Sequence, residues 1–332
     1  MKRKLRIIVL LHADLVPDLE YNEIDASYAD WYTEYSVVTC LQGLGHEVQV
    51  IPIFDSLKPI REAKENFKPH IAFNLLEEFN GEAIFDSHVV SYLELLGLKY
   101  TGCNPRGLLL ARDKALTKKI LTYHRIPVPK FITMKRGKFK KVNKLEFPLF
   151  VKSLNEEASL GISKASLCRE EKALKERVEF IFDKIGTDAI VEEFIEGREL
   201  YVGAIGNQRI EVLPPVELEF GKAENPEMQF ATRSTKWNEK YRMRNKIELN
   251  LCKDLDNKTQ KNIERIARRT FRALNLNSYA RLDIRLKGDI PYILEANPNP
   301  AIAPEDEFSV MAMAKGYSYK TLIEKVLALG LA

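Results

Sequence analysis

The chain has 332 residues, 45% of them hydrophobic and 30% charged, with a formal net charge of +4. This is the composition of a folded chain of about two or three domains, and it excludes disordered and fibrous classes. Basic residues are spread along the chain, so no nucleic-acid surface is indicated, and no apolar run nears the ~20 residues of a membrane span.

The first apolar run, "LRIIVLL", reads as a buried strand. Acids follow it with no small-residue cleavage site, so it does not read as a secretory signal. The four cysteines (Cys40, Cys103, Cys168, Cys252) are far apart, with no CxxC pair and no neighbouring His. That argues against a zinc site or a disulfide framework and for the reducing cytoplasm. A helix over residues 25–44, the strand "EVQVIPI", a helix near Ile60, the strand "HIAFNLL" and a helix over residues 82–96 follow. Strands alternating with amphipathic helices predict an α/β unit with an open parallel sheet over residues 1–103. Ligands of such sheets bind beyond the carboxyl ends of the strands, beside "HAD" (His12 to Asp14) and "LEEFNGE" (Leu76 to Glu82). "GLGHEV" is not a dinucleotide fingerprint, because a helix precedes its glycines and a strand follows; Gly43 and Gly45 read as a helix end and turn.

Asn104 can cap a helix and Pro105 suits its first position. Leu109, Leu116 and Ile120 lie near helical spacing, and "IPVP" ends the helix. The strand "FPLFVKS" follows a basic turn over residues 135–144. Next come the loop "LNEEASLG" and a helix over residues 169–184 with Leu174, Val178, Ile181 and Ile185 on one face. "DAIVEEFIEGRELYVGAIGN" then gives strand, bend and strand. Residues 212–250 mix short strands with charged loops. A helix over residues 256–274 precedes "YARLDIRLKGDIPYILEANPNP", and two helical segments close the chain.

That late stretch predicts a hairpin turning at "KGD". Even spacing puts Arg281 with Asp283, and Glu295 with Asn297, on shared faces. A hairpin brings Asp283 opposite Glu295. Two carboxylates and a carboxamide make a hard oxygen site suited to Mg²⁺ bound with substrate phosphates; the alternative is an internal ion pair of Arg281 with Asp283 or Glu295. Lys152 is a lone cation in an apolar strand, followed by a Ser- and Gly-containing loop whose N–H groups can approach phosphates. With Lys114 and the acids, it suggests a nucleoside triphosphate site.

These segments resemble the ATP-grasp superfamily, and within it the D-alanine–D-alanine ligases. "ARDKALTKKIL" resembles the first phosphate-lysine helix, "FPLFVKSLNEEASLGIS" the second lysine strand and its covering loop, and "VEEFIEGRELYV" the adenine hinge and ribose acid. "YARLDIR" and "YILEANPNP" resemble the oxyanion arginine and the metal ligands. The resemblance implies a three-domain ATP-grasp fold, α/β and in part α+β. Its units would be the substrate domain over residues 1–103, a central subdomain over 104–196 and a catalytic domain over 197–332, with ATP between the last two. It implies that Lys114 and Lys152 contact ATP phosphates, that Ser159 and Gly161 lie in the covering loop, and that Glu192, Glu193, Phe194 and Ile195 form the adenine hinge. Glu199 would hold the ribose, and Lys236, in "TRSTKW", would reach the terminal phosphates. Asp283, Glu295 and Asn297 would hold two Mg²⁺ ions, with Mn²⁺ as a substitute. Arg281, Lys236 and Ser159 would serve the chemistry, and His12, Asp14, Glu82, Asn299 and Ala301 the substrate.

The implied reaction is ATP-dependent ligation of a carboxylate to an amine through an acyl phosphate, by a homodimer acting on amino acids or a peptide. A phosphotransferase and a non-catalytic nucleotide-binding protein are the alternatives. The pattern departs from the family at the substrate pockets. The N-terminal acid in a Ser-rich turn is absent, "NLLEEFNGE" lacks the family's His, and Ala301 replaces a Gly. "PEDE" (Pro304 to Glu307) stands where small hydroxyl residues hold the product carboxylate. The acids Asp14, Glu77, Glu78, Glu82, Glu305 and Asp306 favour a cationic substrate, or an amine lacking a nearby carboxylate.

Overall fold

The computed structural model describes residues 4–154, 161–221, 230–231 and 245–332. Its N-terminal unit contains β1 (Arg6–His12), α1 (Glu23–Ala26), α2 (Tyr32–Gly43), β2 (Glu47–Ile53), α3 (Lys58–Asn66), β3 (Ile71–Asn74) and α4 (Asp86–Leu95). The strands form a parallel sheet in the order β2-β1-β3. The two faces of β1 are buried in different cores, Ile7, Val9 and Leu11 in one and Ile8 and Leu10 in the other. A strand covered on both sides must be apolar throughout, which is why "RIIVLL" shows no alternation. The helix expected over residues 25–44 is interrupted: α1 ends at Ala26, and α2 begins only at Tyr32. The expected helix over 82–96 opens with a 3-10 turn at Ala83–Phe85 before α4.

A second correction concerns the segment after residue 104. Asn104 caps α5 (Pro105–Arg112) by accepting from Gly107 N, as its sequence suggests. The helix then stops at Asp113, whose extended backbone and side chain cap a new helix, α6 (Lys114–Tyr123). An N-cap residue is non-helical by definition, so one segment becomes two. Leu109 and Leu116 are exposed; Leu108, Ala111, Ala115 and Leu121 are the buried positions.

The central sheet holds β4 (Phe131–Met134), β5 (Leu149–Ser153), β6 (Leu167–Cys168) and β7 (Ala189–Glu193) in the antiparallel order β4-β7-β5-β6. One face is covered by α7 (Glu171–Phe180) and the turn of π-helix Ile181–Ile185 through Leu174, Val178 and Ile181.

The largest sheet is built from β8 (Arg198–Ile205), β9 (Glu211–Val212), β10 (Val216–Phe220), β11 (Ile247–Leu251), β12 (Tyr279–Lys287) and β13 (Ile290–Pro298). Its order is β11-β10-β8-β12-β13, with β9 on β8. Helices α8 (Asn257–Ala273), α9 (Glu307–Ala314) and α10 (Tyr319–Leu331) complete the unit. Ala280, Leu282, Ile284 and Leu286 of β12 join one core with α8 and with Leu108 and Leu121 of α5 and α6. Those two helices therefore pack on this sheet. A different core unites Ile7 and Val9 of β1 with Tyr201 of β8, Phe308 of α9 and Leu322 and Val326 of α10. No helix among the described residues is long and apolar enough to cross a membrane.

Candidate active site

The strand β12 divides its labour by parity. Its even positions are core, whereas Arg281, Asp283 and Arg285 project from the opposite face, as period-two geometry requires. In the β12–β13 register Asp283 faces Glu295 and Arg281 faces Asn297. A register shift follows between Asp283 and Ile284, of the kind that re-aims side chains beside functional sites. Asn297 Nδ2 lies 3.4 Å from Glu295 Oε1. The hairpin thus brings together the oxygen-bearing side chains the sequence pointed to.

The ion pair weighed as the alternative is present as well. Arg281 donates Nε to Asp283 Oδ1 at 2.8 Å and Nη2 to Oδ2 at 3.1 Å. Its Nη1 reaches Glu307 Oε2 at 3.4 Å, and its guanidinium lies 4.9 Å from the Tyr201 ring centre. Burial opposes the charge on Arg281, but Asp283 and Glu307 outweigh it and hold the pKa well above the ordinary value. Among the described residues no three His, Cys, Asp or Glu converge as a metal cage. Two carboxylates and one carboxamide fit a hard cation that keeps positions for water and phosphate oxygens, as Mg²⁺ does, better than a softer or fully caged metal.

Asp283 and Glu295 open onto a cleft between the central and C-terminal sheets. Its apolar end is aromatic: Phe150 meets Phe230 edge-on at 4.9 Å, and Phe194 lies 6.2 Å from both. At the polar end Lys152 Nζ lies 3.2 Å from Glu192 Oε2. Glu199 receives the Ala231 N–H at 3.2 Å and pairs with Arg285 at 2.9 Å. Arg285 also donates to Gly197 O at 2.7 Å and lies over the Phe194 ring. An aromatic cluster, the buried acid Glu199, Lys152 and the carboxylates Asp283 and Glu295 thus line one cleft. That combination of groups suits a base, a sugar and a metal-bound polyphosphate.

A family model described as "D-ala D-ala ligase C-terminus" matches residues 120–328. The chain belongs to the D-alanine–D-alanine ligase family. A D-alanine–D-alanine ligase of Desulforudis audaxviator is 30% identical over 299 residues, covering 89% of this chain and 91% of that protein. An uncharacterized protein, y4sG, of Sinorhizobium fredii is 35% identical over 301 residues, covering 88% and 85%. Among solved structures, the D-alanine–D-alanine ligase of Bacillus anthracis complexed with ATP superposes with a TM-score of 0.76 over 98% of this chain and 97% of that one. Its 22% identity speaks to the shared ATP-grasp fold.

Within this member of the D-alanine–D-alanine ligase family, the cleft gathers Lys152, Glu192, Glu193, Phe194, Ile195, Glu199, Asp283 and Glu295. The N–H groups of Glu193 and Phe194 are already donated, to Lys130 O and Pro148 O. Gly161, expected in the covering loop, is in the left-handed region at φ +74; Ser159 and Lys236 lie outside the described residues. Lys114 opens α6 and is buried, but is not among the residues lining this cleft. The sequence reading missed Lys118, which is 0% exposed. Its Nζ lies 3.3 Å from Glu192 Oε1 and donates to Leu294 O at 2.9 Å. Burial lowers its pKa to about 8, against the pull of Glu192. Burial alone would raise the Glu192 pKa, yet Lys118 and Lys152 together hold it below the ordinary value. Arg285 and Phe230 were missed too.

The candidate substrate residues divide. His12 ends β1 with Nε2 3.3 Å from Glu78 Oε1, outside hydrogen-bond geometry, while its Nδ1 accepts from Asp14 N. Asp14, Glu82 and Ala301 are exposed. Asn299 is tied elsewhere: its Oδ1 accepts from Cys103 N at 2.7 Å and would lie 2.6 Å from a Cβ on Gly102. Gly102, at φ +93, is the residue that permits this close approach between the N-terminal and C-terminal units. Glu34 on α2, not foreseen, is 5% exposed. Burial lifts its pKa to about 7, with Glu77 and Asp306 adding to the effect. Asp306 is lifted to about 6 by burial, with Glu307 and Glu305 assisting against Ala303 N–H and Arg281.

Proposed function

We propose that this protein is an ATP-dependent carboxylate–amine ligase that forms an amide or peptide bond through an acyl phosphate. The observation that carries the reading is the β12–β13 hairpin, which sets Asp283 against Glu295 and Arg281 against Asn297 beside a cleft that also presents Lys152. A carboxylate is a poor acyl donor, and phosphorylation supplies a leaving group. Asp283, Glu295 and Asn297 would hold two Mg²⁺ ions, or Mn²⁺, which offset phosphate charge when bound. Lys152 would bind the polyphosphate as a point charge. Phe150, Phe194 and Phe230 would take the base, and Glu199 with Arg285 the sugar. Arg281, held by Asp283 and the Tyr201 ring, would present its guanidinium to the oxyanion that forms when the amine attacks. Water must be kept out, or the acyl phosphate hydrolyses; Ser159 and Gly161 belong to the segment assigned that task. Lys114 and Lys236 would add phosphate contacts.

The substrate pocket is proposed to differ from that of a D-alanine–D-alanine ligase. Burial raises the Glu34 carboxyl with Glu77 and Asp306 assisting, and it raises Asp306 with Glu307 and Glu305 assisting, so several acids lie near one another here. This supports an amine substrate that carries positive charge and no adjacent carboxylate. His12, Asp14, Glu82, Asn299 and Ala301 remain candidate contacts at the rim. We further place the protein in the cytoplasm as a homodimer, with the exposed Ile24 and Tyr28 around α1 at the interface.

The test is ADP and phosphate release with pairs of amino acids and amines, with mass analysis of the product. Release that needs both a carboxylate and an amine is expected, and D-alanine alone should be a poor substrate. A phosphorylated product without free phosphate would make the protein a phosphotransferase, and no turnover with any pair would leave a nucleotide-binding module. Glu295→Gln should abolish turnover while ATP still binds weakly; wild-type turnover in that variant removes the metal assignment.

A further inference from the structure

The buried group Lys118–Glu192–Lys152 carries a consequence that rests on the nucleotide reading above. One carboxylate stands between two ammonium groups, with Oε1 3.3 Å from Lys118 and Oε2 3.2 Å from Lys152. All three side chains are nearly removed from water, at 0%, 2% and 7% exposure for Lys118, Glu192 and Lys152. A buried charge needs a partner, and taking away its only partner is strongly unfavourable.

The two lysines are not equivalent. Lys152 sits on β5 and lines the cleft, 5.7 Å from the centre of the Phe150 ring. Lys118 rises from α6 behind Glu192, is not among the cleft-lining residues, and is fixed from the other side by the Leu294 carbonyl of β13 at 2.9 Å. A polyphosphate entering the cleft meets Lys152, not Lys118. The three groups together carry a net charge of +1, which attracts that anion. Once Lys152 turns to the phosphates, Lys118 and Glu192 remain as a neutral pair. Without Lys118 the same movement would strand a carboxylate in the protein interior.

We propose that Lys152 is an exchangeable counter-ion, passed from Glu192 to the phosphates when nucleotide binds, and that Lys118 is the fixed counter-ion that permits the exchange. Lys118 is then a positioning residue: it touches no ligand, yet sets how tightly phosphates are held. Its attachment to Leu294, next to Glu295, also ties the nucleotide acid to the metal-ligand strand.

Calorimetric titration with ATP and with adenosine tests this, because adenosine has no phosphate to claim Lys152. The readout is the ratio of the two affinities, in which any effect of Glu192 on the base cancels. Lys118→Met is expected to lower that ratio by about tenfold or more, as Lys152 becomes the one cation left beside Glu192 among the described residues. Glu192→Gln is expected to raise the ratio, because Lys152 is released in advance. The double variant Lys118→Met/Glu192→Gln should return to the wild-type ratio or exceed it. An unchanged ratio in Lys118→Met, or a double variant as impaired as the single one, overturns the proposal. Should Lys118→Met fail to fold, Glu192→Gln decides alone, and an unchanged or lowered ratio there overturns it. A wild-type protein that binds neither ATP nor adenosine removes the nucleotide reading itself, and the proposal with it.

Discussion

Glu34 is the residue at which environment most clearly overrides identity. Its ordinary pKa of 4.5 is raised to about 7 by burial, with Glu77 and Asp306 adding to it. A carboxyl raised in the folded state binds more protons there than in the unfolded chain between pH 4.5 and about 7. Stability must therefore fall as pH rises through that window and level off above it. The cost to the folded state at pH 8 is up to roughly 3 kcal/mol. Glu34→Gln should remove this slope, so that urea unfolding at pH 8 shows a gain over wild type that shrinks toward pH 5. Asp306, raised from 3.8 to about 6, keeps a smaller slope below pH 6 in both proteins. Equal pH dependence in the two proteins would mean that Glu34 is not held in this way. The facing acids of the β12–β13 hairpin were legible because period-two spacing and a short turn determine who faces whom. Lys118 was not. It lies next to Lys119 in a helix full of lysines, and its burial is decided by carbonyls of β13 more than 170 positions away.

At the scale of the element, β12 shows how one strand serves stability and chemistry at once. Leu282 is 0% exposed and packs toward α8, while Asp283 and Arg281 face the site. Leu282→Ala should cost about 2–5 kcal/mol with turnover unchanged at temperatures where the variant is folded. A loss of turnover without loss of stability would contradict the division of faces. Element type was readable wherever the pattern was strong: β1, β2, β7, β8 and the β12–β13 hairpin fall where their sequences suggest. The breaks were harder. Asp113 interrupts a segment of good helix formers because its side chain bonds Leu116 N at 2.8 Å, and a single cap within an apolar-periodic run leaves little trace in periodicity. Which face of α5 and α6 is buried was also hidden, because it depends on a sheet formed much later in the chain.

For the molecule as a whole, the cleft lies between two sheets with largely separate cores. The central sheet packs within itself and with α7, whereas the C-terminal sheet packs with α5, α6 and α8. Ligand that bridges them stabilises both. Nucleotide with Mg²⁺ at about 100 times its dissociation constant should add ~2.7 kcal/mol, a rise of a few degrees in melting temperature for a chain of this size. Mg²⁺ should enlarge the shift given by ATP far more than the shift given by adenosine, since the role proposed for the hairpin acids is exerted through phosphates. Equal effects of Mg²⁺ on the two would separate the cleft from the acids. The general three-sheet plan could be anticipated from the order of motifs, but the sharing of cores could not, because contacts between distant segments have no local signature.

That sharing has a consequence for biosynthesis. The face of β1 formed by Ile7 and Val9 belongs to the same core as Leu322, Ile323 and Val326 of α10. On the ribosome β1 emerges well before α10, so that apolar face is incompletely covered until α10 has left the exit tunnel. Contacts between segments far apart in sequence form late and leave sticky surface open meanwhile. Until α10 is made, the β1 face of Ile7 and Val9 lacks part of its cover.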